Sequence, residues 1–223
     1  MIYSVPLRYQ SACLESGTFP PELKPAVEYF EQMFERPEID SRNLIITGPV
    51  GCGKTWLVHA FHNYALKKYR RYAKKMVSIP AEWKDGKRVS RSYMKWVDNP
   101  EPEPGFDKSS YYTLKEIIDN VRISWETKEQ SPVLYDCLKI PLLIIDEVGR
   151  TYGTQSERVE LFDLFDTRWE NKLPTVCISN FPRTNEKNPE DSLEYKLGQG
   201  IIDRLYDNAI VIEMKTTSRR NSK

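Results

Sequence analysis

Few of the residues that build metal centres or disulfide frameworks occur in this chain. It has four cysteines, Cys13, Cys52, Cys137 and Cys177, far apart and without a Cys-x-x-Cys pair, and only two histidines, His59 and His62. That excludes a structural zinc site and a disulfide scaffold, and leaves reduced thiols of a cytoplasmic protein as the expectation. A signal peptide is missing too, because residues 1–6 lack a basic flank and an apolar run. The longest apolar run, near Leu142 and Ile145, is far too short for a bilayer, so no membrane partner is expected. Charge of one sign is not in excess: the net charge is +1, which names no partner. No internal repeat is visible. What remains is 223 residues, 39% hydrophobic and 29% charged, an ordinary composition for one globular domain spanning 1–223.

The apolar pattern alternates between strand and helix. Helical spacing runs over residues 21–34 with Val27, Phe30, Met33 and Phe34, and again over 55–75, where Leu57, Ala60, Phe61, Tyr64 and Ala65 share a side. The latter stretch ends in Lys67, Lys68, Arg70, Arg71, Lys74 and Lys75. Between the two, Asn43-Leu44-Ile45-Ile46-Thr47 reads as a strand buried on both faces. Further helices are predicted over 114–127 and 156–171, further strands over 142–145, 175–179 and 209–212. Residues 80–110 show no sustained periodicity and carry turn signals at Asp85-Gly86, Asn99-Pro100 and 102–105, so they read as an insertion. The alternation predicts an α/β fold with a mostly parallel sheet covered by helices on both faces.

Two motifs carry chemistry. Gly48-Pro49-Val50-Gly51-Cys52-Gly53-Lys54-Thr55 fits the P-loop pattern and stands between a buried strand and a helix, where phosphate binding needs it. Its glycines let successive backbone N–H groups face phosphates, helped by the positive end of the helix. Lys54 is expected to reach the β- and γ-phosphates of ATP, and the Thr55 hydroxyl to ligate magnesium. The second motif is the strand at 142–145 followed by Asp146-Glu147, a Walker B pattern. Asp146 would hold Mg2+ mainly through its water shell, and Glu147 would orient and deprotonate the attacking water. Ninety-two positions separate Lys54 from Asp146, more than one strand and helix need, and the insertion accounts for the excess. Asn180 ends a strand expected beside Asp146; its amide either contacts the γ-phosphate or the water, or is simply a polar strand terminus. Arg204 either stabilises phosphoryl-transfer charge in a neighbour's site or forms a surface salt bridge with Asp203.

Taken together these residues resemble the AAA+ ATPases of the DnaC-type helicase-loader group, which includes the IstB-type transposition helpers. The resemblance runs from Val5-Pro6-Leu7-Arg8-Tyr9 through the P-loop and Ile145-Asp146-Glu147-Val148-Gly149. It continues over 165–175 into Ser179-Asn180, and ends at Leu197-Gly198, Ile202-Asp203-Arg204-Leu205 and Thr217-Ser218-Arg219. It implies that Asn180 is a sensor, that Arg204 is an arginine finger serving an adjacent subunit of a homo-oligomer, and that Arg219, or its neighbour Arg220, is a second sensor at the nucleotide. It also implies a P-loop AAA+ fold with a reduced or absent C-terminal lid, ATP hydrolysis, and assembly on DNA with a helicase or recombinase partner. Three features depart from the group. Glu147 stands where a second aspartate is frequent, Gln199-Gly200 replaces a basic residue, and the short stretch before the P-loop is expected to hold no separate N-terminal helicase-binding domain.

The insertion adds a candidate single-stranded DNA contact. Between Glu82 and Trp96 the basic residues Lys84, Lys87, Arg88, Arg91 and Lys95 are interleaved with Trp83, Tyr93 and Trp96. An acidic, proline-rich run with Asp98, Glu101, Glu103 and Asp107 follows, and a solvated loop packed on itself is the competing reading. A slow nucleotide-dependent regulatory or defence switch, and a small-molecule kinase, are the alternative functions; no acceptor-site or lid signature supports the kinase.

Overall fold

Apolar runs without polar alternation need partners on both faces, and the strands that carry them here are covered on both. The computed structural model describes residues 9, 11–12, 21–35, 41–72, 74–79, 83–84, 87–88, 93–98, 109–129, 131–150 and 154–215. A 3-10 turn at Pro21–Leu23 leads into α1 (Lys24–Glu35), β1 (Asn43–Thr47) and α2 (Lys54–Tyr72). Four strands follow: β2 (Lys74–Ile79), β3 (Trp83–Lys84), β4 (Lys87–Arg88) and β5 (Tyr93–Asp98). Then come β6 (Ser109–Thr113), α3 (Leu114–Thr127), α4 (Pro132–Lys139), β7 (Leu142–Val148), α5 (Gln155–Glu170) and β8 (Thr175–Ser179). The last elements are α6 (Leu193–Leu197), α7 (Gln199–Tyr206) and β9 (Ala209–Glu213).

The main sheet has the order β6-β7-β8-β1-β9 and every neighbouring pair is parallel. Side chains alternate across it. Leu44, Ile46, Ile144, Val176 and Ile178 join Phe30, Leu57 and Phe61 of α1 and α2 in one core. Ile45, Leu143, Ile145 and Cys177 join α3, α5 and α7 in the other, through Ile117, Phe165 and Ile202 among others. The period of two thus divides each strand between two helical layers.

Local signals fix the helix starts. Thr113 and Glu116 form a reciprocal capping box on α3, and Thr154 and Glu157 do the same on α5. Ser131 caps α4 with Pro132 at its first turn. Arg168 of α5 is almost wholly buried and donates to Thr175 Oγ1 (3.0 Å), Cys137 O (2.7 Å), Ile140 O (2.9 Å) and Pro174 O (2.7 Å). It therefore ties the end of α4 to the start of β8. Burial without a carboxylate partner pulls its guanidinium down to about 10, while burial pushes the thiols of Cys137 and Cys177 up to about 12.

Four readings of the sequence need correction. The helix after the P-loop ends at Tyr72, and Lys74 and Lys75 belong to β2. Residues 80–110 are not aperiodic throughout: β5 pairs antiparallel with β2, and β3 with β4, in two small sheets separate from the main one. Ser109 and Ser110 open β6 and belong to the main sheet, not to the insertion. Strands β2 to β5 mix charged and apolar residues without sustained alternation, and β2 pairs with β5 across the whole β3–β4 segment. Helices α4, α6 and α7 escaped the sequence reading because none is longer than eight residues. Val159, Trp125 and Trp169, read as part of apolar helix faces, are exposed. Among the described residues no helix is long and apolar enough to cross a membrane.

Candidate nucleotide site

Ligands of open parallel sheets gather at the carboxyl ends of the strands, and the P-loop leaves β1 there. Gly48, Gly51 and Gly53 all have positive φ, at 146°, 85° and 107°. At Gly48 the requirement is double: a Cβ would also stand 2.6 Å from the carbonyl oxygen of Met214, just past β9. Met214 N–H donates to Thr47 O at 2.8 Å, and Cys52 Sγ contacts Met214 Sδ at 3.6 Å, so the end of β9 backs the loop. Val50 at the tip of the loop is 62% exposed, and Pro49 follows Gly48 without regular structure.

Lys54 opens α2 and is buried. Its Nζ donates to Gly48 O and Pro49 O, both at 2.8 Å, with Cys52 Sγ at 3.5 Å. Its acceptors are neutral backbone carbonyls of the loop itself, weaker than an anionic phosphate oxygen would be. Next to it, Thr55 Oγ1 donates to Asp146 Oδ2 at 2.9 Å. Asp146 Oδ1 accepts from Glu147 N–H at 2.6 Å, and Oδ2 also accepts from Tyr111 Oη at 2.8 Å. Between Ile145 and Val148 the β7–β8 register slips and Glu147 takes φ 55°, a bulge that re-aims its side chain. The Glu147 carboxylate is exposed and pairs with Arg150.

Strand β8 lies between β7 and β1, so Asn180 emerges between Asp146-Glu147 and the P-loop. Ser179 Oγ donates to Val148 O (2.6 Å) and accepts from Phe181 N–H (3.0 Å), which fixes the backbone on either side of Asn180 while its amide stays exposed. The three strand ends thus bring Lys54, Thr55, Asp146, Glu147 and Asn180 to one edge of the sheet.

Arg204 is elsewhere. Its Nε pairs with Asp166 of α5 at 2.7 Å, not with Asp203, which accepts from Gln199. Its guanidinium lies over the rings of Phe162 (4.9 Å) and Trp169 (5.6 Å). Asn43, the first residue of β1, donates to the carbonyls of Arg204 and Leu205 at 3.1 and 3.0 Å. Arg204 therefore sits at the amino edge of the sheet, one strand length or about 16 Å from the P-loop of its own chain. The residue after Gln199 is glycine for a local reason: a Cβ at Gly200 would meet Phe162 at 2.8 Å, where α7 rests on α5. Arg219 and Arg220, like residues 5–8 of the Val5-Pro6-Leu7-Arg8-Tyr9 segment, lie outside the described residues.

The residues present fit magnesium nucleotide. The hydroxyl of Thr55 and the Asp146 carboxylate are hard oxygen donors side by side, and magnesium takes one or two such protein ligands, the rest coming from phosphates and waters. Among the described residues no cluster of three or more His, Cys, Asp or Glu stands ready to hold a metal unaided. Sequence reasoning missed Tyr111 and Met214. The available signal for Tyr111 was a Ser/Tyr/Thr run directly before the Thr113 capping box; Met214 had none.

Known proteins share this fold. The structure is similar to that of the DnaC helicase loader, with a TM-score of 0.64 at 17% identity over 94% of this chain and 100% of that one. It is similar to DnaI, with a TM-score of 0.60 at 18% identity over 97% and 94%. A replication initiator DnaA bound to AMPPCP and single-stranded DNA matches at a TM-score of 0.61 and 16% identity, over 96% of this chain and 52% of that one. At these identities the likeness establishes the fold, a P-loop AAA+ sheet. The sequence family described as IstB-like ATP binding protein matches residues 105–223, more than half of the chain, and the protein therefore belongs to the IstB-like ATP-binding family.

Proposed function

We propose that this protein hydrolyses ATP and uses the cycle to assemble, as a homo-oligomer, on DNA or on a DNA-processing partner in the manner of a DnaC-like helicase loader. The observation that carries the reading is the approach of Thr55 Oγ1 to Asp146 Oδ2, 2.9 Å, beside a buried Lys54 and a re-aimed Glu147. Lys54 would exchange its loop carbonyls for the β- and γ-phosphates, while Thr55 and Asp146 hold magnesium and Asn180 orients the reactants. Bound magnesium would neutralise charge that develops on the phosphates. Glu147, released from Arg150, takes the proton of the attacking water. Arg204 would complete the site of an adjacent subunit, in keeping with its distance from its own P-loop; Arg219 is a candidate second sensor. Residues 1–223 act as one AAA+ domain, and the basic, aromatic insertion contributes to a single-stranded DNA contact.

Mass photometry with a slowly hydrolysed ATP analogue, with and without single-stranded DNA, tests this. Oligomers that need nucleotide, grow with DNA and weaken in Arg204→Ala support it. Parent and variant that both stay monomeric, with equal ATP turnover, sink it. The IstB-like family match favours a second reading, a transposition helper that hands target DNA to a recombinase. Binding to a recombinase encoded beside it, and none to a replicative helicase, would select that role. Retained biological activity in Glu147→Gln would instead favour a slow nucleotide switch.

A further inference from the structure

Asp146 accepts from three donors, and two of them are its immediate surroundings: Thr55 of the P-loop helix and the N–H of Glu147. The third comes from a different strand. Tyr111 lies on β6, the edge of the main sheet, paired with Ile144, so Asp146 stands two residues further along β7 on the same face. From that diagonal position its phenol donates to Asp146 Oδ2 at 2.8 Å. Tyr111 is 4% exposed, and its ring is braced by His59 of α2, with centroids 4.7 Å apart. His59 in turn stacks on Tyr9 at 4.4 Å, and Asn63, one turn further along α2, donates to Tyr9 O and Ala12 O, both at 2.9 Å. The ring that carries the phenol is thus held from behind by a column of packed aromatics.

Thr55 Oγ1 also donates to Oδ2, but its hydroxyl is the one that would turn to the metal; the Tyr111 phenol is then the donor left on Oδ2 to stop the carboxylate turning about its Cβ–Cγ bond. We infer that Tyr111 is a positioning residue for the magnesium site, a phenol that fixes the Asp146 carboxylate in the orientation at which it meets the metal and its water shell. Outer-shell partners of this kind set the orientation of the ligand and hence the affinity for the metal. The inference rests on the magnesium-ATP reading of the site. It also gives the edge strand a role: β6 follows the insertion directly, so the segment between α2 and β6 is continuous with the residue that orients Asp146.

Tyr111→Phe keeps the ring in the aromatic column and removes only the O–H. Binding of a fluorescent ATP analogue is titrated against magnesium, and repeated in EDTA. The expected result is unchanged binding in EDTA and a rise of about tenfold in the magnesium needed for half-maximal response, the lower end of what a lost outer-shell partner costs. In thermal unfolding without nucleotide, Tyr111→Phe and Asp146→Ala should be non-additive, because the second change removes the acceptor the first has abandoned. A magnesium titration of Tyr111→Phe that superimposes on the parent's overturns the proposal and leaves the ATP reading intact. Equal loss in EDTA and in magnesium also overturns it, by reducing Tyr111 to packing. A parent whose binding ignores magnesium, or is matched by Lys54→Ala, overturns the nucleotide reading and the proposal with it.

Discussion

Replacing Arg204 by alanine separates two effects of very different size. Within its own subunit the side chain makes a half-exposed ion pair with Asp166 and lies over two aromatic rings. A pair and stack of that exposure contribute about 1 to 2 kcal/mol to stability. As an arginine that neutralises transition-state charge, it would contribute about a thousandfold or more to turnover. The variant should therefore fold, with a slightly lowered melting temperature, and be almost inactive. Glu147→Gln should be inactive for a different reason, since its sites lack a base. Because Arg204 stands a strand length from its own P-loop, mixing the two inactive variants builds some interfaces in which an Arg204→Ala subunit keeps Glu147 and receives Arg204 from a Glu147→Gln neighbour. With random head-to-tail assembly about a quarter of interfaces are of that kind, so phosphate release should return to about a quarter of the parent's. A mixture no more active than its components, or an Arg204→Ala protein as active as the parent, would refute the argument for a trans-acting arginine.

Two further outcomes follow from buried charge. Arg168→Met strips four acceptors of their donor, and should lower stability by about 3 to 5 kcal/mol in urea unfolding, a loss that Arg168→Lys does not restore because an ammonium cannot reproduce the planar fork; a loss below about 1 kcal/mol would contradict the account. Glu157, hydrogen-bonded by Arg122 and by the Thr154 backbone N–H, is held below the ordinary carboxylate range. Its contribution to stability is therefore complete above the unfolded value of about 4.3 and is lost as pH falls through the lower folded value. Melting curves of the parent and Glu157→Gln should converge towards acid pH and separate at neutrality, and parallel curves would count against the pair.

How much of this could be read from the chain depends on how local each signal is. The P-loop, the Asp146-Glu147 pair and the strands that deliver them were legible because one buried run followed by a fixed pattern contains its own geometry. Asn180 was legible as a strand terminus, and its emergence between the two motifs followed once β8 was found between β7 and β1. The boundaries of α3 and α5 were read to within a residue, since capping boxes and apolar periodicity agree there. Strands β2 to β5 were not, because their charged and apolar residues are interspersed without a sustained period and β2 finds its partner only beyond β3 and β4.

The sequence by itself determined the class of ligand, the family resemblance and the alternation of strand and helix, all of which rest on interactions between residues near one another in the chain. Tertiary structure alone decided what lies between distant segments. It joined Thr55 to Asp146 across 91 positions, brought Tyr111 onto the same carboxylate from the sheet edge, and set Met214 against Gly48. It also carried Arg204 to the opposite edge of the sheet, where Asp166 holds it. Strand order is the physical reason: parallel pairing puts residues remote in sequence at the same strand ends, and local propensity carries no record of which strands are neighbours.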